Sequence, residues 1–432
     1  MLVTEMPNSD FLAEAHARGF VFQCTDEAAL DAALLAGRVS AYTGFDLTAD
    51  SLHVGSMVQI MLLRLLQRHG HRPVLLLGGG TTKIGDPSGK EEARLLLTPE
   101  RIAENGRGIL SILRRFVRLD GDDPALIADN ADWLDRLGYI ELLREVGQHF
   151  SISRMLSADS VRLRLEREQG LSFLEFNYAI LQSYDFRELN RRHGVCLQMG
   201  GSDQWGNIVS GVDLVRRTDQ TQVFGLTTPL IATASGAKMG KTASGAVWLS
   251  ADRVSPFDYW QFWRNTEDAD VGRFLRMFTD LPVEECDRLG ALQGAEINEA
   301  KKILATEATA LCHGRDIAVE IAETARRGYE QGELTHGALP VYNLPDAMPK
   351  AGIPLVRLLT QSGLVLSNSE ARRLIRGGGA RVNDEPVFNE AHTVSIADLI
   401  EGGVKLSSGR KRHLLVKARG ERPDDAASRP AD

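Results

Sequence analysis

Two short strings about 180 residues apart carry side chains suited to chemistry on a phosphate. The first, Tyr42-Thr43-Gly44-Phe45-Asp46-Leu47-Thr48-Ala49-Asp50-Ser51-Leu52-His53-Val54-Gly55-Ser56, reads as a strand, a loop and then His-x-Gly-x at a helix start. A helix N-terminus offers free N–H groups and the positive end of a dipole. His53 can donate a hydrogen bond to a phosphate, and Gly55 lets a nucleotide approach the backbone. The second string, Lys238-Met239-Gly240-Lys241-Thr242, lies among Ser235, Gly236, Ser244 and Gly245. Lys238 and Lys241 are mobile cations suited to a transition state that accumulates negative charge, and the small residues let such a loop close. Taken singly, His53 reads as a helix cap, the lysines as solvated surface and Gly55 as close packing. The ordered combination carries the functional reading.

Better-known phosphate motifs fail. Gly78-Gly79-Gly80-Thr81-Thr82-Lys83 lacks the last glycine of a dinucleotide loop. Gly89-Lys90 is followed by Glu91 where a P-loop needs Ser or Thr, and Gly200-Gly201-Ser202-Asp203-Gln204 is no nucleophile elbow.

The elements that must position these strings alternate. Apolar Val39–Tyr42 and Pro73–Gly79 read as strands, with a helical pattern from Val54 to His69 between them. Ser172–Phe186 has helical spacing, Val195–Gly201 is strand-like, and Asp203–Arg217 opens another helix. This predicts an α/β fold with a doubly wound parallel, Rossmann-like sheet over residues 1–246. Helix-forming stretches such as Ile297–Gly314 predict a helical domain over 247–345. The proline-bearing stretch Gly337–Gly352 reads as a linker. A basic module follows at 353–418, and a polar, disordered tail at 419–432.

Length and charge agree. The 432 residues, 43% hydrophobic and 25% charged, suit two to four globular domains. No apolar run would span a membrane, and the N-terminus lacks the pattern of a secretory signal. Four scattered cysteines without a CxxC pair argue against a zinc ribbon or a disulfide framework, so a cytoplasmic protein is expected. The net charge of −8 is unevenly spread. Residues 353–418 hold 10 Lys/Arg against 6 Asp/Glu (+4) and the tail 3 against 4 (−1), leaving −11 for 1–352. An acidic body with a basic C-terminal piece fits an enzyme carrying a separate RNA-binding module.

The two strings resemble the HIGH and KMSKS signatures of class I aminoacyl-tRNA synthetases. YTGFDLTADSLHVG, GDPSGK (85–90), EFNYAILQSYDF (175–186) and LQMGGSDQWGNI (197–208) resemble, in order, the bacterial tyrosyl branch of that family. The resemblance covers nearly the whole chain. It implies activation of L-tyrosine with ATP and Mg2+ to an adenylate, with release of pyrophosphate, and then transfer to the 3′ end of tRNA(Tyr). It also implies a homodimer, and no protein-bound metal site is expected.

The residue roles it implies are specific. Lys90 and Arg94 reach the pyrophosphate beside His53, Lys238, Lys241 and Thr242. Ser56 stands where the signature has a second histidine and can donate only as a neutral group; Gly240 and Thr242 replace serines. Tyr42 and Asp185 meet the phenol, while Asp86, Tyr178 and Gln182 hold the ammonium. The i, i+4, i+7 spacing of Tyr178, Gln182 and Asp185 lets one helix face present all three. Asp203 binds the ribose, Gln204 lies near the reacting carboxyl, and Gly200 and Gly201 give the nucleotide room. Asp46 and Thr48 line the pocket beside the phosphates. Leu230 and Ile231 either pack on adenine or are plain core.

The segment Val356–Arg381 carries a different chemistry. It resembles the small αL RNA-binding module shared by a ribosomal small-subunit protein and many RNA enzymes, which implies a small α+β RNA-binding domain at 353–418. Arg372, Arg373 and Arg376 fall on adjoining faces of one helix, Gly377–Gly379 turns the chain, and Arg381 opens the next strand. Lys405, Arg410, Lys411 and Arg412 form a second basic cluster suited to phosphates. Three other readings compete: a tryptophanyl synthetase of the same fold, an RNA-binding protein with a dead synthetase fold, and another nucleotidyltransferase with a His-x-Gly-x motif. Tyr42 with Asp185, the retained His53, Lys238, Lys241, Asp86 and Asp203, and the RNA module argue against them in turn.

Overall fold

The structure is a computed structural model. It describes residues 7–86, 97–167, 170–234, 236, 239–242, 245–330, 341–344, 349, 352–365, 367–399, 403–409 and 412–417. The expected tail, most of the expected linker, Lys90, Arg94, Lys238, Arg410 and Lys411 lie outside these residues. The side chains of Lys241, Thr242 and Arg412 do as well. The chain divides into two compact units, Met1–Ala318 and Val319–Asp432.

The first unit is built on six strands: β1 (Gln23–Cys24), β2 (Ser40–Asp46), β3 (Arg72–Gly78), β4 (Leu126–Asp129), β5 (Leu197–Gly201) and β6 (Phe224–Thr228). Their spatial order is β1-β6-β5-β2-β3-β4, and all neighbours are parallel except the β1 edge, which runs antiparallel to β6. The apolar run Pro-Val-Leu-Leu-Leu-Gly makes β3 buried on both faces, as an interior parallel strand must be.

The helix between β2 and β3 starts as a 3-10 turn at Val54–Ser56 and becomes α-helical over Met57–Arg68. Nine of its twelve α-helical residues are buried, so it needs cover on the side away from the sheet. The Asp10–Arg18 and Val271–Phe278 helices supply it, which places helices after Ala246 in the same compact unit as the sheet. Arg18 fastens that layer. Its buried guanidinium donates to the carbonyls of Arg276 (2.7 Å), Thr279 (3.2 Å) and Leu281 (2.8 Å).

The expected helix over Ser172–Phe186 is broken at Asn177. A Ser172–Glu175 capping box starts the short Phe173–Phe176 turn, and Tyr178–His193 follows as a separate helix ended by Gly194 at φ 64°.

The second unit has its own core, in which Leu355, Leu358, Ala371, Ile375, Val394 and Leu406 are fully buried. Helices Leu355–Gln361 and Asn368–Arg376 accompany a five-stranded sheet ordered 385–386, 380–382, 403–408, 412–417 and 341–343. This is the α+β arrangement expected. Asn383 and Asp384, at φ 47° and 69°, form the two-residue turn of its tight hairpin.

Candidate active site

In the first unit, strands β2, β3 and β4 step one way across the sheet and β5 and β6 the other, so the order reverses between β2 and β5. Ligands of such sheets sit at the strands' carboxyl ends beside the reversal. A cavity of about 250 Å³ opens there. Its walls include Tyr42, Asp46, Gln59, Asp86, Tyr178, Gln182, Asp185, Gly200, Gly201 and Gln204.

Tyr42 and Asp185 are buried parts of this wall. Tyr42 is 1% exposed, its ring lies edge-on to Phe186 at 5.3 Å, and its hydroxyl has no partner among the described residues. A buried unpaired hydroxyl costs about 1–3 kcal/mol, which a polar ligand atom can recover. Asp185 is 2% exposed; its carboxylate accepts from Trp133 Nε1 at 2.7 Å and Asn130 Nδ2 at 2.9 Å. Burial pushes this carboxyl up to about 7; the two hydrogen bonds pull it back, and the charges of Asp46 and Asp129 add to the rise.

The remaining polar wall is acidic and tightly bonded. Asp46 accepts from Thr81 Oγ1 at 2.9 Å and from the Tyr178 hydroxyl at 3.2 Å. Burial, then the charges of Asp46, Asp86 and Asp185, hold the Tyr178 phenol well above its usual range. It stays protonated, with an oxygen lone pair able to accept from a cation. Gln204 Nε2 donates to Asp86 at 3.0 Å, and Asn207 Nδ2 donates to Gln182 Oε1 (2.9 Å) and Gln204 Oε1 (3.3 Å). Tyr178, Gln182 and Asp185 share one cavity wall, as their helical spacing requires. Asp46, expected beside phosphates, is bonded into this acidic wall. Three carboxylates on one small cavity favour a cation there.

At the end of β5 the glycines make room for protein. A Cβ on Gly201 would stand 2.5 Å from Asp203 Oδ1 and 3.4 Å from Leu230 Cδ2; one on Gly200 would stand 3.1 Å from Ile208. Asp203 is exposed and Leu230 is 64% exposed, so an open apolar side chain adjoins a carboxylate. Ile231 is half-buried, and its carbonyl accepts from Met239 N at 3.1 Å. Thr48 is exposed on the loop after β2.

The two motif strings meet. Val54 N donates to Val247 O, and Leu249 N to Leu52 O, both at 2.9 Å; Val247 N donates to Gly240 O at 2.8 Å. A Cβ on Gly240, at φ +78°, would sit 3.1 Å from Gly55 N. His53 lies edge-on to Trp248 at 6.1 Å, and its Nδ1 accepts from Gly55 N at 3.0 Å. A neutral ring with that bond carries its hydrogen on Nε2. The space expected for a nucleotide at Gly55 is taken by the imidazole: a Cβ there would be 2.7 Å from His53 Cε1. Ser56 precedes the helix without a side-chain cap bond.

The start of the lysine loop is tied down. Arg273 Nη2 donates to Ala232 O and to Asp270, each at 2.6 Å, and Asp270 accepts from Ala234 N at 2.7 Å. Arg273→Met removes the carbonyl contact and the ion pair. The expected result is a roughly tenfold slower chemical step with ligand affinity in the strand-end cavity unchanged. Stopped-flow kinetics beside equilibrium dialysis reads both; an equal loss in each would remove Arg273 as a loop anchor.

In the second unit Arg372, Arg373, Arg376 and Arg381 are exposed. Lys405 corrects its expected role. It is 2% exposed and its ammonium is held 2.7 Å from Asp384, so it pins the Asn383–Asp384 turn and offers no charge to a phosphate. An unpaired buried ammonium would be costly, which is why the turn supplies the carboxylate.

Asn130, Trp133, Asn207 and Gln59 were not singled out from sequence. Asn207 stands one helical turn after Gln204 within a string already noted, so its spacing could have revealed it. Asn130 and Trp133 reach Asp185 across more than fifty residues, with no local signal. Gln59 donates to Thr228 at 2.6 Å, and its Oε1 is buried without a partner among the described residues.

Residues 35–330 match the model of the class I tRNA synthetases (W and Y), and residues 353–400 match the S4 domain. A tyrosine–tRNA ligase of Gluconobacter oxydans is 65% identical over 415 residues, 95% of this chain and 100% of that protein. One from Rhodospirillum rubrum is 61% identical over 412 residues, covering 95% and 98%. The fold matches a C-terminally truncated mitochondrial tyrosyl-tRNA synthetase of Aspergillus nidulans with a TM-score of 0.66 at 30% identity, over 73% of this chain and 93% of that one. A strand-order reversal carrying an acidic pocket, two distant motif strings joined at the backbone, and this identity over nearly the full length place the chain in the tyrosine–tRNA ligase family of class I synthetases.

Proposed function

We propose that the cavity walled by Tyr42, Asp185 and Tyr178 holds L-tyrosine while the joined His53 and Lys241 strings hold ATP. The tyrosine carboxylate oxygen attacks the α-phosphorus, the bond from that phosphorus to the bridging oxygen breaks, and pyrophosphate leaves with its charge. No covalent enzyme intermediate is required, so positioning and electrostatics supply the rate. The observation that carries this reading is the backbone pairing that brings Gly240 against Gly55.

The phenol lies between Tyr42 and Asp185. Asp86, Tyr178 and Gln182 take the ammonium, and Gln204 lies by the carboxyl. Asp203 takes the ribose hydroxyls and Leu230, with Ile231 behind it, the adenine. His53, Ser56, Lys90, Arg94, Lys238, Lys241 and Thr242 act on the phosphates, with Mg2+ arriving on the ATP. In the second step a 3′-terminal ribose hydroxyl of tRNA(Tyr) attacks the adenylate carbonyl and AMP departs. Residues 1–246 serve catalysis, 247–345 the anticodon side and 353–418 the RNA, through Arg372, Arg373, Arg376 and Arg381, with Arg410, Lys411 and Arg412 as a second cluster. A homodimer is supported by the exposed Tyr139, Ile140, Ile152, Leu156 and Phe173, whose apolar area a second copy would cover. The cytoplasm is the compartment proposed; among the described residues no helix is long and apolar enough to cross a membrane.

The Asp185 carboxyl gives a pH signature. A phenol O–H that donates to the carboxylate binds the ionised form, so tyrosine affinity is flat above about pH 7 and falls about tenfold per unit below it. Equilibrium dialysis of labelled tyrosine from pH 6 to 8.5 reads the bend, and a flat profile would remove Asp185 as the acceptor. Charging of a tRNA(Tyr) transcript with labelled tyrosine tests the whole reading. Charged tRNA is expected, and its absence from folded enzyme supplied with ATP would contradict it.

A further inference from the structure

One large apolar side chain stands beside the basic helix of the second unit. Phe388 is 65% exposed, although phenylalanine is among the residue types most often fully buried. Its placement is fixed. A Cβ built on Gly378, at φ +68°, would meet Phe388 Cε1 at 2.6 Å and Cζ at 3.1 Å, so the ring rests directly on the glycine backbone just past the Asn368–Arg376 helix. Two residues further on, Glu390 accepts from Arg376 Nε at 2.9 Å and lies 3.9 Å from Arg372 Nε. The Phe388 loop is thereby fastened to the arginine helix. One part of the ring is backed by Gly378 and the rest is exposed, on a loop whose Glu390 pairs with the arginines of the helix.

We propose that Phe388 is a stacking platform for an unpaired base of the RNA whose phosphates Arg372, Arg373 and Arg376 hold. This rests on the RNA reading of this unit given above. Phosphate contacts supply charge-dependent affinity but no purchase on bases, whereas an aromatic face beside them accepts any unstacked base. The same arginines disfavour a neutral apolar protein surface as the occupant, because covering the ring would desolvate them as well.

The test uses the full chain and a tRNA(Tyr) transcript, with binding measured at several salt concentrations. Phe388→Leu keeps an apolar side chain and removes the π face, while Phe388→Trp keeps the face. Phe388→Leu is expected to raise Kd about tenfold with the salt slope unchanged, since stacking releases no counterions. Phe388→Trp is expected to stay within about twofold of wild type. Tyrosine-dependent ATP–pyrophosphate exchange without RNA should be unaffected in both, which shows intact folding of the catalytic unit, and the thermal melt reports on the second. Wild-type RNA affinity in Phe388→Leu would overturn the proposal and leave the RNA reading standing, pointing to a protein surface over the ring instead. Equal losses in Phe388→Leu and Phe388→Trp would also overturn it. A wild-type chain that does not bind the transcript would overturn the RNA reading itself, and the platform with it.

Discussion

Lys241→Ala is expected to slow tyrosine-dependent ATP–pyrophosphate exchange by about 10²–10³ at saturating substrates, while the tyrosine Kd moves less than about threefold. The reason is where the charge develops. In the ground state the charge on the ATP phosphates is already screened by solvent and counterions. In the transition state the leaving pyrophosphate gains charge as its bond to the α-phosphorus lengthens, and a cation on a closing loop binds that state better than the substrate. The Lys241 backbone pairs with Ala246, and Val247 pairs with Gly240, so this part of the loop runs beside Val54 and Gly55. The pocket proposed for tyrosine, at the buried Tyr42 and Asp185, includes no part of the lysine loop among its described lining residues. Single-turnover measurement of adenylate formation separates the two quantities. Comparable losses in rate and in tyrosine affinity would remove Lys241 as a transition-state group.

Asp185→Asn is expected to weaken tyrosine binding about ten- to hundredfold and to narrow the preference for tyrosine over phenylalanine by a similar factor. The carboxylate accepts from Asn130 and Trp133, and it is the acceptor proposed for the substrate phenol. An amide in its place can turn its oxygen to only part of that set and leaves a donor facing a donor. Phenylalanine makes no hydrogen bond there, so its weak activation should change little. The pH bend near 7 should vanish in the same variant, because the titrating group is gone. Competition of tyrosine and phenylalanine in the exchange reaction measures the preference. An unchanged ratio would place the phenol elsewhere.

The two motif strings stood out in the sequence because each pattern is local. A helix start with His-x-Gly and a small-residue loop with two lysines announce themselves within five residues each, and the sheet order then brings them together. The Tyr178–Asp185 face was legible from helical spacing alone. Lys405 was misread for a physical reason. In Gly-Val-Lys-Leu-Ser it looks like the outward residue of an alternating strand, but the Asp384 partner that lets it be buried lies 21 residues away on a turn. Gly55 and Gly201 were read as room for a ligand, whereas each accommodates a neighbouring side chain, His53 or Asp203, whose rotamer no sequence pattern specifies. Asn130 and Trp133 act on Asp185 only through the fold. Phe388 was passed over because an isolated phenylalanine in a loop has no period to mark it as exposed.

Amino-acid-dependent ATP–pyrophosphate exchange, run with each of the twenty amino acids separately and without tRNA, tests the central claim most directly. Joined motif strings above a Tyr42–Asp185 pocket predict exchange with tyrosine and only marginal exchange with phenylalanine or tryptophan. Exchange with tryptophan in preference to tyrosine would contradict the pocket while sparing the phosphate chemistry. Silence with all twenty, in folded protein that still binds RNA, would contradict the account as a whole.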